Sequence, residues 1–370
     1  MMRTLTTLSS VWLQQKRHSV TALENPQALT PVTSLRGRSF LSTADLTGAE
    51  LHQLIDLTIT GKAQGRLAFG QPLAGRGVGL VFFNPSLRTR ASMVMAVAGL
   101  GGQPVPLDIS AGAWDLEHET GVVMYGSKSE HVREAVPVLS QYVDAIGVRC
   151  FPSFKSLSYD RGEPVLGAFA EYARVPVINL ESATAHPCQA LADMVTIREK
   201  LGGLAGRKLT LVWANHPKVL PHAVPNSFAT AALQCGADLT IVAPPEYLPD
   251  PAWAQNLDKA AKLSGATLRQ TSDLRRGYDG AQIVYAKSWA STAHYGDVQR
   301  DLEVRRRYQQ WQVTSDLMAH TNNGLFMHCL PVRRNVVVAD DVIDGPRSIV
   351  VEQAANRLAA QKALLASILA

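Results

Sequence analysis

Short, uninterrupted apolar runs alternate along this chain with stretches in which apolar residues recur every three or four positions. The runs at 77–83 (GVGLVFF), 104–109 (PVPLDI) and 144–151 (DAIGVRCF) are short and continuous, as strands buried on both faces of a parallel sheet are. Helical periodicity lies between them: over TGAELHQLIDLTI, behind a capping signal at 42–45; from Arg88 onward; and over 130–142. The second half repeats the alternation, with strand-like segments at 209–217, 237–245, 281–289 and 325–331. Two more helices, one from about Pro187 to Leu201 and one from Glu352 to the end, join the halves. This order predicts an α/β fold of two doubly wound parallel-sheet domains joined by two linking helices. The expected divisions are a disordered extension over 1–37, a first domain over 38–185 completed by the helix 352–370, and a second domain over 186–351.

A length of 370 residues suits two domains, and 46% hydrophobic with 18% charged residues is ordinary for a soluble protein. No apolar run is long enough to cross a bilayer. The net charge of +5 is local: residues 1–40 carry Arg3, Lys16, Arg17, Arg36 and Arg38 against the single acid Glu24, so the rest is near neutral. That balance excludes a basic face for nucleic acid. The run Arg305, Arg306, Arg307 lies among Asp297, Asp301 and Glu303 and is expected to be a solvated segment. The four cysteines are widely spaced, with no CxxC pair and no His spacing suited to zinc, so buried free thiols in a reducing, cytoplasmic compartment are expected. The first 36 residues are rich in Ser, Thr and basic groups. They lack the apolar run of a secretory signal; a transit peptide, a disordered tail and a misassigned start codon all fit them.

The chemistry gathers where strands end. In VFFNPSLRTRASM (81–93) a buried run opens directly onto Ser86, Leu87, Arg88, Thr89 and Arg90. At a helix start, free N–H groups, two hydroxyls, the helix dipole and a guanidinium together suit a phosphate. The plain alternative is a capped helix with two surface arginines. Other strand and helix ends add Arg149, His186 with Gln189, the run His328-Cys329-Leu330-Pro331 followed by Arg333 and Arg334, and Asn356-Arg357. A lone histidine is more often a structural hydrogen-bonder. Cationic and hydrogen-bonding groups recurring at one sheet edge, where open α/β sheets bind ligands, suit a small phosphorylated substrate.

The motifs S-x-R-T-R, H-P-x-Q and H-C-L-P, in this order, resemble the aspartate/ornithine carbamoyltransferase family from about residue 38 onward. The resemblance implies transfer of a carbamoyl group from carbamoyl phosphate to an amine. It implies no metal or organic cofactor, no nucleic-acid or membrane partner, and a homotrimer with sites between subunits. It assigns Ser86, the Leu87 backbone, Arg88 and Thr89 to the phosphate. Arg149, His186, Gln189, the backbone of Cys329 and Leu330, and Arg357 fall to the carbamoyl part, and Trp114 enters from a neighbouring subunit. Thr89, Arg149 and His186 would donate to the tetrahedral oxyanion.

For the acceptor, ornithine enzymes of the family carry an Asp and a Ser-Met-Gly loop. This chain instead has Tyr285-Ala286-Lys287-Ser288-Trp289 and resembles the branch acting on N-acylated ornithine. That likeness rests on FFNPS, Gly112-Ala113-Trp114, His216-Pro217, Thr321-Asn322-Asn323 and the segment 329–335. Residue 129 is a glutamate in acetyl-type members and a proline in succinyl-type members; here it is Ser129. Serine removes a charge that would repel a succinyl carboxylate, although 127–130 also has the pattern of a capping box. The stretch 221–228, the Glu181-to-His186 spacing, and a loop after Trp289 without the acetyl branch's modifiable lysine also resemble the succinyl type. The expected acceptor is N-succinylornithine in arginine synthesis, with N-acetylornithine the alternative. His216 and Lys287 would meet the succinyl carboxylate and Arg333 the α-carboxylate, while Glu181 and Asn226 orient the ornithine part. An inactive binding paralogue would have lost Arg88, His186 or Gln189, and an aspartate-type enzyme would have other acceptor motifs.

Overall fold

Both sets of buried runs become parallel sheets in the computed structural model, which describes residues 28–109 and 111–370. The strands are β1 (Gly77–Phe82), β2 (Gln103–Asp108), β3 (Leu116–Glu117), β4 (Glu130–His131), β5 (Ala145–Arg149) and β6 (Val177–Glu181) in the first half. The second half holds β7 (Lys208–Trp213), β8 (Asp238–Val242), β9 (Leu268–Thr271), β10 (Ile283–Lys287) and β11 (Leu325–Met327). The first sheet runs in the order β2-β1-β5-β6 and the second in the order β11-β10-β7-β8-β9, each all parallel. The strand β3 pairs only with β4, as a small ladder apart from either sheet. A parallel order needs a crossover between neighbours, and the intervening helices supply it.

Burial explains the uninterrupted apolar runs: β1 is buried from Val78 to Phe82 and β5 throughout. Gly147, at the centre of β5, lies so close to β6 that an added Cβ would sit 2.9 Å from Leu180 Cδ1. The linking helix Pro187–Leu201 is buried from Pro187 through Ile197, because it runs between the domains. Against it packs the C-terminal helix Val350–Leu369, which also covers the helices Gly48–Gln64 and Arg88–Ala98 of the first half. One continuous core therefore runs through both halves.

Local chemistry moves several expected boundaries. Ser42 caps only a short turn over Thr43–Asp45, in a box closed by Asp45, whereas the helix Gly48–Gln64 has its own box from Thr47 and Glu50. Of the helix expected over 130–142, only Val132–Leu139 forms; residues 130–131 are β4, and the His131 side chain caps the helix by accepting from the Arg133 N–H. Residues 127–130 are therefore not a capping box. The extension expected over 1–37 is also shorter. Val32 and Leu35 are buried, the Val32 N–H donates to Ser367 Oγ at 3.0 Å, and the Gly37 N–H donates to the Ile368 carbonyl. Apolar contact with the C-terminal helix orders residues 28–37, while the expectation for 1–27 lies outside the described residues. No described helix is long and apolar enough to cross a membrane, and all four cysteines are buried free thiols.

Candidate active site

The turn between β1 and the helix Arg88–Ala98 sets the first part of the site. Ser86 Oγ accepts from the Thr89 N–H at 3.2 Å, which stiffens the turn and leaves the serine hydroxyl proton free to donate. No acid occupies this helix's first turn, so an external anion is what its dipole can meet. Thr89 is buried, and its Oγ1 accepts from Arg357 Nη2 at 2.9 Å, tying the turn to the C-terminal helix. The two arginines of the pentad separate in role. Arg90 pairs with Asp108 at the end of β2 and lies 4.3 Å over the Phe82 ring, which is a structural use. Arg88 is half-buried, and desolvation lowers its pKa. Leu87 is 79% exposed, so its side chain packs little against the rest of the chain.

Arg149, at the end of β5, is buried over the Phe151 ring and pairs with Glu181 at the end of β6. His186 Nε2 lies 3.5 Å from the same carboxylate. The structure thus places the Glu181 carboxylate among the cations, paired with Arg149 and beside His186. Burial, then the charges of Arg357, Arg149, Lys287 and Arg88, hold the His186 pKa well below its usual value and keep the imidazole neutral. Its backbone N–H donates to Ser227 Oγ at 2.7 Å, so the loop bearing it is anchored to the second domain.

From that domain the site receives Lys287 at the end of β10, together with the His216 loop and the residues after β11. His216 is lowered to about 4 by desolvation, with Lys287 and Arg333 adding to the shift. His328 is likewise held well below its usual value by burial, with the charges of Lys287 and Arg88 adding to the shift. Its Nδ1 accepts from the Leu330 N–H at 2.9 Å, fixing a turn in which Leu330 adopts φ 55°. A left-handed conformation is uncommon for leucine, and such strain gathers at functional turns. Arg333 is exposed.

Arg88 Nε, Arg149 Nε, Arg357 Nε, His186 Nδ1 and Gln189 Oε1 are buried and find no partner among the described residues. Buried polar groups are normally satisfied. Three unpartnered guanidinium N–H donors, an amide acceptor and an imidazole nitrogen suit a compact anion that carries both oxygens and an N–H. Two of the expected residues lie elsewhere. Trp114 is 59% exposed and donates its Nε1–H to Glu130 at 2.7 Å; Ser129 is exposed on the same segment, its N–H bonded to the Asp115 carbonyl. Asn226 donates to the Thr184 carbonyl, lines a cleft with Ser42, Gln234 and Trp253, and keeps a buried, unpartnered Oδ1.

Residues 38–199 match the family model for the carbamoyl-P binding domain of aspartate/ornithine carbamoyltransferase, and residues 206–368 match its Asp/Orn binding domain. The chain belongs to the aspartate/ornithine carbamoyltransferase family. Within the family it is similar to the N-acetylornithine carbamoyltransferase of Xanthomonas campestris pv. campestris, 42% identical over 90% of this chain and 97% of that one. It is also similar to the N-succinylornithine carbamoyltransferase of Bacteroides thetaiotaomicron, 44% identical over 75% of this chain and 82% of the other. A solved structure of a glutamate-to-serine mutant of N-acetyl-L-ornithine transcarbamylase, complexed with carbamyl phosphate and N-succinyl-L-norvaline, is 43% identical. It superposes with a TM-score of 0.86 over 90% of this chain and 99% of that chain. The chain is therefore a carbamoyltransferase.

For this carbamoyltransferase, sequence reasoning missed two sets of residues beside the site. Arg305, expected in a solvated run, is 2% exposed. Its Nε donates to Asp301 at 2.8 Å, its Nη1 donates to the carbonyls of His216 and Lys218 and to Ser288 Oγ, and it lies against the rings of Trp213 and Tyr247. A buried ion pair thus holds the His216 loop. The i, i+4 spacing of Asp301 and Arg305 was the available signal. Asp193 and Gln353 were missed as well, although Asp193 stands one helical turn after Gln189.

Proposed function

We propose that this enzyme transfers the carbamoyl group of carbamoyl phosphate to the δ-amine of N-succinyl-L-ornithine, giving N-succinyl-L-citrulline and phosphate, in arginine synthesis. The observation that carries the donor half is the cluster of Arg88, Arg149, Arg357 and His186, whose unpartnered buried atoms match the groups of carbamoyl phosphate. Ser86, the Leu87 backbone and Arg88 hold the phosphate at the helix start. Arg149, His186, Gln189, Arg357 and the backbone of Cys329 and Leu330 hold the carbamoyl part. The neutral amine attacks the carbonyl carbon, forming the C–N bond and a tetrahedral oxyanion; as the carbonyl re-forms, the C–O bond to phosphate breaks and an amine proton leaves with the phosphate. Thr89, Arg149 and neutral His186 donate to the tetrahedral oxyanion without reorganising, so positioning and electrostatics supply the rate.

The acceptor half rests on charge. His216, Lys287 and Arg333 supply cations or donors for two carboxylates, and Ser129 stands where the acetyl branch has a glutamate. A glutamate-to-serine change is also what the solved acetyl-type mutant carries while holding N-succinyl-L-norvaline. Glu181 orients the ornithine part. Asn226, held by the Thr184 carbonyl, orients the ornithine part with its unpartnered Oδ1. We place the enzyme in the cytoplasm as a homotrimer in which Trp114 and Ser129, both on exposed surface, complete a neighbouring site. N-acetylornithine is the second reading, favoured by the longer coverage of the acetyl-type relative, 90% of this chain against 75%. Turnover of both acylated ornithines with carbamoyl phosphate decides. Faster use of succinylornithine supports the proposal, faster use of acetylornithine rejects the acyl assignment, and no citrulline product with either rejects the whole.

A further inference from the structure

The linking helix Pro187–Leu201 and the C-terminal helix Val350–Leu369 meet at a fully buried carboxylate that the chemistry above does not use. Asp193 Oδ1 accepts from Gln189 Nε2 at 2.8 Å and from Gln353 Nε2 at 2.7 Å. Gln353 Oε1 in turn accepts from the His328 N–H at 3.0 Å, at the start of the turn whose Leu330 N–H is held by His328 Nδ1. Each amide orientation is fixed by what it meets. A carboxylate oxygen takes only a donor, so Gln189 must turn its nitrogen to Asp193, and its Oε1 is then left buried and unpartnered at the site.

We infer that Asp193 is a positioning residue that selects the donor substrate: by holding the Gln189 amide nitrogen it presents the amide oxygen, an acceptor, to the N–H of a carbamoyl group. The inference rests on the reading of Gln189 as a carbamoyl contact. An acyl phosphate with a methyl in place of the amino group has the same shape and charge but no N–H to give. A site built to accept that bond discriminates against an analogue lacking it, because its own polar group stays unpaired. Through Gln353 the same oxygen also sets the backbone turn at Cys329 and Leu330, so one carboxylate registers both sides of the carbamoyl pocket.

Both glutamine bonds fall on a single oxygen, with the Tyr285 hydroxyl also against this carboxyl, so an asparagine keeping that oxygen retains the hold on Gln189. Burial raises the Asp193 pKa to about 7, and a proton on Oδ2 leaves both bonds intact.

The readout is the ratio of the Ki for acetyl phosphate to the KM for carbamoyl phosphate, with inorganic phosphate as a control for the phosphate cradle. Asp193→Leu should lower this ratio about tenfold, the worth of one well-placed hydrogen bond. Phosphate inhibition should hold within about twofold, and Asp193→Asn should keep the native ratio. A merely structural role would weaken all three ligands together and leave the ratio unmoved. An unchanged ratio in folded Asp193→Leu overturns the inference. If Asp193→Leu does not fold, Gln353→Met withdraws the second donor from the same oxygen. A partial fall in the ratio then supports the inference, and none overturns it. Gln189→Ala separates the two readings: if it leaves the ratio unchanged, Gln189 is no carbamoyl contact. If it lowers the ratio while Asp193→Leu does not, the site stands and the positioning role alone fails.

Discussion

A buried guanidinium is expensive to leave without an anion, and Arg88, Arg149 and Arg357 all turn an unpartnered Nε inward. Arg149 has Glu181 as its partner, while Arg357 leans on the Thr89 hydroxyl. Residue identity at the strand ends made most of this legible, because arginine and histidine after a buried run have few structural uses. Partnership was less legible: nothing in the run 86–90 ties Arg90 to Asp108, and only the i, i+4 spacing from Asp301 singles out Arg305 for burial. Ser129 gives a test at this scale. His131 caps the following helix, so Ser129 is relieved of that duty and free to matter for selectivity. Ser129→Glu should lower kcat/KM for N-succinylornithine roughly tenfold or more by like-charge repulsion, with a smaller effect on N-acetylornithine. Equal effects on both substrates would contradict a role in acyl choice.

Among the elements, strands were easier to find than helix starts. A strand buried on both faces has a continuous apolar signal, so β1, β5, β7 and β10 fall where the runs are. Helix starts depend on a single hydrogen bond, and Ser42 and Thr47 both head a box that fits the pattern five residues apart. The carbonyl and N–H geometry assigns Ser42 to a turn and Thr47 to the helix. The edge strand β9 (LRQT) escaped because it is mostly polar and only half covered. Capping gives the corresponding prediction. Thr47→Ala should destabilise the protein by about 1 kcal/mol, lowering Tm by a few degrees. Ser42→Ala should cost less, since its turn has no helix to unravel. A differential scan of the two variants checks the order.

Among the described residues, neutral histidines set the acid response, His52 and His118 being shifted down by burial in the same direction as the four that follow. His216 and His222 are lowered to about 4 by burial, and His186 and His328 lie well below their usual range. Their unfolded value is near 6.5, so below it the unfolded chain binds more protons than the native one. Stability from these groups is complete above pH 6.5 and is lost as pH falls toward 4. Asp193, raised to about 7, works the other way, since the native state holds its extra proton between 3.8 and 7. Four groups outweigh one, so Tm should drop steadily from pH 6.5 to 4; a Tm flat across that window would show that these imidazoles are not buried neutral.

Two domains, one continuous core and a cluster of cations fed from both explain why the proposed site needs the fold: the parts we assign to it come from residues 86–89, 149, 181–189, 216, 287, 328–333 and 357. The account turns on Arg88 and the helix start gripping the phosphate. Calorimetric titration of carbamoyl phosphate into the native enzyme and Arg88→Met, at one fixed ionic strength, tests that directly. Loss of a charge-assisted pair should weaken binding at least about thirtyfold, with Tm little changed. Native-like affinity in Arg88→Met would contradict the assignment of this turn as the phosphate site.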